Sequence, residues 1–136
     1  MASAAAIRQD LCTFMGLYLR AFQTLSAAEA AVCFDVPLRL STPQGHQLAA
    51  DTAAVHAFLE AQFRGMKAQD YVRSEWGRLV VHVLHEGSAV VSTVLRRFAA
   101  DGRVFMESGA TYVVAKPSAS WKITQIVLHD VGNVIG

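Results

Sequence analysis

Much of what announces an activity is absent from this 136-residue sequence. It has no run of lysine or arginine longer than Arg96 and Arg97, and 12 basic residues against 11 acidic ones leave a net charge of +1. Nucleic acids and anionic membranes are held by clustered cations, so neither is an expected partner. There are only two cysteines, Cys12 and Cys33. Their spacing fits no metal motif and their neighbours are apolar, so the expectation is two buried free thiols in a reducing cytoplasm, with a Cys12 to Cys33 disulfide left open. No apolar stretch reaches the roughly 20 residues of a membrane span. Residues 1–10 have no basic residue ahead of the alanines and are interrupted at Arg8, Gln9 and Asp10, so they do not read as a signal peptide. No glycine-rich phosphate loop, repeat, low-complexity tract or linker is present. Ser92 and Thr93 lack the adjacent acid and base of a nucleophile triad. No cofactor is therefore expected, and the chain reads as one domain over 1–136.

What is present in excess is apolar surface. Hydrophobic residues make up 53% of the chain, more than an ordinary soluble domain carries. Large exposed apolar patches are uncommon on monomers. The excess therefore calls for an apolar-lined cavity, a face covered by a partner, or both.

The N-terminal half reads as helical. Ile7, Leu11, Phe14, Tyr18, Phe22 and Leu25 step by three and four along one helix face. Ser26 and Glu29 form a capping box for a short helix from Ala27 to about Cys33 or Phe34, closed off by Pro37. Leu38 and Leu40 alternate with polar neighbours ahead of the turn residues Thr42, Pro43, Gln44 and Gly45, which predicts a short strand or hairpin. Asp51 is placed to cap a third helix whose stripe is Val55, Phe58, Leu59, Phe63 and Met66.

From 71 to 131 the pattern becomes four β-strands folded back and forth, with turns at Glu86 and Gly87, at Asp101 and Gly102, and across 116–119. Two-residue hairpins set a register with two faces. One face collects Trp76, His82, Met106, Tyr112, Trp121 and His129 and is the side the helices should cover. The other collects Val81, Val83, Val94, Ile126 and Leu128, with Arg96 opposite Glu107 as a favourable cross-strand pair. An antiparallel sheet that is apolar on both sides has neither side free for water, so a homodimer through the second face is expected. A bulge, with Gly109 the candidate, would invert part of this register.

The order of elements, with Thr52, Ala53, Ala54 and Val55 opening the third helix and Trp121, Lys122 and Ile123 opening the last strand, resembles the nuclear transport factor 2-like superfamily, in its ketosteroid isomerase and SnoaL-like branch. The resemblance spans about 7–131. It implies a cone-shaped α+β fold: three N-terminal helices packed on a curved, mainly antiparallel sheet around a hydrophobic pocket, often dimeric. Ketosteroid isomerases carry a tyrosine on the first helix, a base aspartate just before a Pro-x-Gly turn, and a second carboxylic acid in the sheet. Tyr18 falls at the first of these positions, Thr42 at the second and Tyr112 at the third. A threonine hydroxyl is far too weak an acid to serve as a resident base. The resemblance thus implies the scaffold without that isomerisation chemistry.

The residues support two functional readings. In the first, the protein binds a small hydrophobic, oxygen-bearing molecule, with Tyr18, Thr42, Phe58, Trp76, His82, Met106, Tyr112, Trp121 and His129 around it. In the second, it is an isomerase, cyclase or dehydratase in which His129 or His82, the inward groups that titrate near neutrality, acts as base while Tyr18 and Tyr112 donate hydrogen bonds. A structural dimer with a closed core is a third alternative. His82, His85 and His129 do not share a face and no cysteine joins them, so no metal is expected.

Overall fold

Steps of three and four between apolar residues carry the first helix. In the computed structural model, which describes residues 2–136, α1 spans Ala4–Gln23 and is capped by Ser3, whose hydroxyl accepts the Ala6 N–H at 3.1 Å. Its buried stripe is Ile7, Leu11, Met15, Tyr18 and Phe22. Met15 takes the fully buried place expected of Phe14, which is only partly covered. Leu25 lies beyond the helix in a left-handed conformation (φ 57°), so it ends the stripe rather than extending it. Helix α2, Ala27–Ala31, starts as expected at Ser26, which accepts the Glu29 N–H at 3.3 Å. It stops sooner than expected because strand β1, Phe34–Thr42, begins at once. Pro37 therefore lies inside a strand and does not close the helix. It falls between Phe34 and Arg39, where the pairing is irregular and no ladder donor is needed. Strand β2, Gly45–Ala49, completes a hairpin, and α3, Thr52–Ala68, is capped by Asp51 accepting the Ala54 N–H at 2.8 Å. Its buried residues are Val55, Leu59, Phe63 and Met66.

Five strands follow: β3 (Tyr71–Trp76), β4 (Val80–His85), β5 (Ser88–Ala99), β6 (Val104–Ala115) and β7 (Lys122–His129), then a short 3-10 turn at Val131–Asn133. They form one seven-stranded sheet in the order β2, β1, β7, β6, β5, β3, with β4 also paired to β5. Among the described residues only β1 and β7 run parallel. Helices α1 and α3 pack their stripes on the inner face, against Ala89, Val91, Leu95, Ala110, Tyr112, Val114, Ile123 and Ile126, and α2 packs on those two helices.

From Ser88 to Arg97 the β5 and β6 register matches the expected one, including Arg96 opposite Glu107 with a 2.5 Å ion pair, and it slips by one residue beside the turn, where Phe98 pairs with Val104. Two shifts elsewhere invert parts of β4 and β7. Trp76 pairs with Leu95 but Val80 pairs with Ser92, so 77–79 hold one residue more than the facing strand. The expected single strand becomes β3 and β4, bridged by the Gly77 N–H donating to the Val94 carbonyl at 2.8 Å. The residues Val80 to Val83 are inverted by a shift beside the turn, where His85 pairs with Ser88 but Val83 with Ala89, and the extra residue at 77–79 returns Trp76 to the inner face. Val81 and Val83 pack on the core, and His82 is exposed. A second shift, between Val113 opposite Gln125 and Val114 opposite Ile123, turns Ile126 and Leu128 inward and Val127 and His129 outward. Of the five residues expected on a dimer surface, Val81, Val83, Ile126 and Leu128 therefore face the helices. Val94 alone lies outside.

Gly109 is not a bulge, since it pairs in regular register with both Val94 and His129. A Cβ there would lie 2.3 Å from His129 Nδ1, so the residue is glycine because the imidazole lies across it. Cys33 is buried and Cys12 exposed, both as free thiols. The expectation of two buried thiols holds for Cys33 only. Among the described residues no helix is long and apolar enough to cross a membrane.

Candidate functional site

An aromatic cluster under the sheet's inner face prepares the site. Tyr18 from α1 and Tyr112 from β6 meet edge to face with ring centroids 5.8 Å apart. Trp76 stacks beneath Tyr18 at 6.1 Å, and its indole N–H donates to the Met15 carbonyl at 3.0 Å. Phe34 and Phe22 close on Tyr18 from two further sides, at 5.6 and 5.7 Å. Such contacts add to the burial of large apolar area, so the two phenols are held by packing and not by a loop.

Above them opens a cavity of about 480 Å³, within the range of small-molecule sites. Its walls are Leu40 and Thr42 from β1, Phe58 and Gln62 from α3, and Leu95, Met106, Ile126 and Leu128 from the sheet. It adjoins a second recess that shares Phe58, Gln62, Arg97 and Met106 with it and adds Gln47, Ala61, Gly65 and Phe105. Tyr18 and Tyr112 are only 5% and 1% exposed. Burial is the main force pushing both phenols above their ordinary value, so each keeps its proton and stays a donor.

The cavity's cation is Arg97. Its neighbour across the ladder is Met106, and its guanidinium lies 5.3 Å from the Phe22 ring centre. One terminal nitrogen donates a long 3.5 Å bond to Gln62 Oε1, while its buried Nε has no partner. Burial lowers its hold on the proton. Among the described residues the two ion pairs join Arg73 to Glu75 and Arg96 to Glu107, so no carboxylate answers Arg97. Nothing in the sequence reading singled it out. The signal was there, because the alternation that turns Leu95 inward does the same for Arg97.

Tyr18, Thr42, Phe58, Met106 and Tyr112 all line the cavity. Trp76 lies one layer below, beside a small void under the two tyrosines. Trp121 is buried but faces a separate surface groove with Phe14, Leu17 and Val32. His82 and His129 are across the sheet, which corrects their placement on the inner face and removes both as bases for this cavity. The His129 ring is held by its Nδ1 at 2.8 Å from the Asp130 carbonyl and its Nε2 at 2.7 Å from Thr111 Oγ1. A carbonyl only accepts, so in the neutral ring Nδ1 carries the proton and Nε2 accepts from Thr111. Thr111 in turn meets Ser92 Oγ at 2.8 Å, and Ser92 accepts the Ile135 N–H at 3.0 Å. This chain pins the C-terminal segment on the outer face.

The family model described as NTF2-like protein (DUF6841) matches residues 9–131, from α1 to the last turn and including every residue of the cavity. The chain belongs to the NTF2-like family. Solved structures share the NTF2-like architecture. A domain of unknown function with a cystatin-like fold from Nostoc punctiforme is 18% identical at a TM-score of 0.74, covering 94% of this chain and 78% of that one. Aln2 from a Streptomyces species is 12% identical at 0.75, with 96% and 94% covered. An NTF2-like superfamily protein from Salmonella enterica is 15% identical at 0.69, with 94% and 93% covered. At such identities the likeness establishes the fold alone. No curated protein matches the sequence.

Proposed function

We propose that this NTF2-like protein binds a small hydrophobic molecule with a hydrogen-bond-accepting oxygen, in a cone formed by α1, α3 and the curved sheet. The observation that carries this reading is an apolar cavity of about 480 Å³ whose floor bears two protonated phenols. Two donors converging on one region can hold a carbonyl or phenol oxygen. The walls supply the apolar contact that drives entry.

The competing reading, an isomerase, cyclase or dehydratase, has less support. Thr42 lines the cavity but its hydroxyl is engaged, donating to the Gly45 carbonyl at 3.3 Å and accepting the Gln44 N–H at 3.2 Å. Glu107 is the carboxylate at the rim, and it is exposed and paired with Arg96. A base free to move a proton near neutral pH is missing from the lining, which favours binding over turnover. Two further readings accompany this one. Val90, Val113 and Val127 on the outer face are only partly covered by the chain's own residues, which supports a homodimer through that face. The free thiols support a cytoplasmic setting.

A thermal-shift panel of steroid, polyketide-like and aromatic compounds tests the binding reading. A true ligand at about one hundred times its dissociation constant adds about 2.7 kcal/mol to stability. That gain is expected to shrink in Tyr18→Phe and Tyr112→Phe. A panel without any stabilising compound, or stabilisation equal in both variants, argues against a ligand held by the phenols.

A further inference from the structure

We propose that Arg97 makes this cavity a site for a hydrophobic monocarboxylate, the charged end on the guanidinium and the apolar body among Leu40, Phe58, Met106, Ile126 and Leu128. The inference rests on the binding reading above and narrows its ligand class.

The guanidinium is incompletely satisfied. Its Nε is buried without a partner, and its one side-chain bond, to Gln62, is at the 3.5 Å limit. Arg97 is half-buried, and a cation drawn out of water is ordinarily paired, because the interior does not replace the solvation it loses. Here no pairing group is present among the described residues. The facing strand offers one carboxylate, Glu107, but it stands opposite Arg96 and is bonded to that residue's Nε at 2.5 Å. The tyrosines nearest Arg97 stay protonated and carry no charge. A cation built into the wall of an open cavity and left without an anion is what a site for an anionic ligand requires.

Geometry narrows the class. Arg97 stands on β5, paired on both sides by β3 and β6, and its side chain is steadied by the Phe22 ring and Gln62. A guanidinium fixed in this way presents a planar fork that matches the two oxygens of a carboxylate. Tyr18 and Tyr112 share the cavity lining with Arg97, so their hydroxyls are donors for the remaining lone pairs of such a carboxylate. One cation balances one negative charge. A dianion would leave a charge uncompensated among leucine, isoleucine and methionine side chains, which excludes phosphate esters as the preferred class.

The test measures dissociation constants by calorimetry at neutral pH for two matched pairs, naphthoate with naphthamide and decanoate with decanamide. The acid of each pair is expected to bind about tenfold or more tightly than its amide, the size of effect a charge-assisted hydrogen bond brings. In Arg97→Met the preference is expected to vanish, the acid losing more affinity than the amide. In Arg97→Lys, which keeps the charge without the fork, part of it is expected to remain. The unaltered protein supplies a check that needs no variant: lowering the pH through the probe's own pKa should erase the preference. Equal binding of acid and amide overturns the carboxylate inference and leaves the binding reading standing. A preference that survives in Arg97→Met overturns it as well, since the anion then sits elsewhere. Binding by neither member of either pair removes both readings together.

Discussion

An imidazole fills the space that a Cβ at position 109 would need, and that single exclusion holds together much of the outer face. With His129 laid over Gly109, its two ring nitrogens reach Asp130 and Thr111, and through Thr111 and Ser92 the chain extends to the backbone of Ile135. Gly109→Ala must expel the ring and break that series. A loss of about 1–3 kcal/mol in urea unfolding is expected, the cost of overpacking a closed site. The tyrosines make a second prediction, on pH. The chain has three, and burial raises the pKa of Tyr18, Tyr112 and Tyr71 alike, although the Ser74 hydroxyl partly offsets this for Tyr71. A folded phenol with a raised pKa keeps its proton where the unfolded chain has lost it. Its stabilising contribution is therefore complete below about pH 10 and is lost as pH rises toward the folded values. Tyrosinate absorbance in an alkaline titration should appear together with loss of the native circular dichroism. Absorbance that grows at about pH 10 while the fold persists would contradict the buried phenols.

The register shift between Val83 and His85 decides which way β4 faces. Its effect is measurable by placing the same charge on adjacent positions. Val81→Asp puts a carboxylate against the helices and is expected to cost about 3 kcal/mol or more. His82→Asp places it in solvent and should change stability by no more than about 0.5 kcal/mol. The reverse result would restore the unbulged register. Neither shift in the sheet is legible in the sequence, although the hairpins are. Glu86 with Gly87 and Asp101 with Gly102 mark turns by residue type, and Gly102 adopts the left-handed φ of 88° that such a turn uses. A strand glycine is ambiguous by comparison: Gly77 marks a bulge and Gly109 a close approach, with nothing in the neighbouring residues to separate the two. Helix caps at Ser26 and Asp51 are readable because a cap is completed within three residues.

Whether two copies pair through the outer sheet is a question of mass. Light scattering at micromolar concentration should return twice the mass of one chain, and Val127→Asp, on the face opposite the cavity, should return it to one. A single-chain mass for the unaltered protein would remove the dimer and leave the cavity untouched. Val81, Val83, Ile126 and Leu128 do not lie on that surface, because the face of a strand residue is the sum of every register shift between it and the nearest fixed turn. The same dependence moves His82 and His129 out of the cavity. Tyr18, Phe58 and Tyr112 need no such sum: the first two follow from helical periodicity, and Tyr112 lies in the part of β6 whose pairing with β5 is regular. Helix stripes, caps, hairpin turns and the NTF2-like order of elements are local properties, written in residues a few positions apart. The bulged edges of the sheet, the unpaired Arg97 in its wall and the space above the two phenols arise from pairings between distant strands, and these exist only once the sheet has closed over the helices.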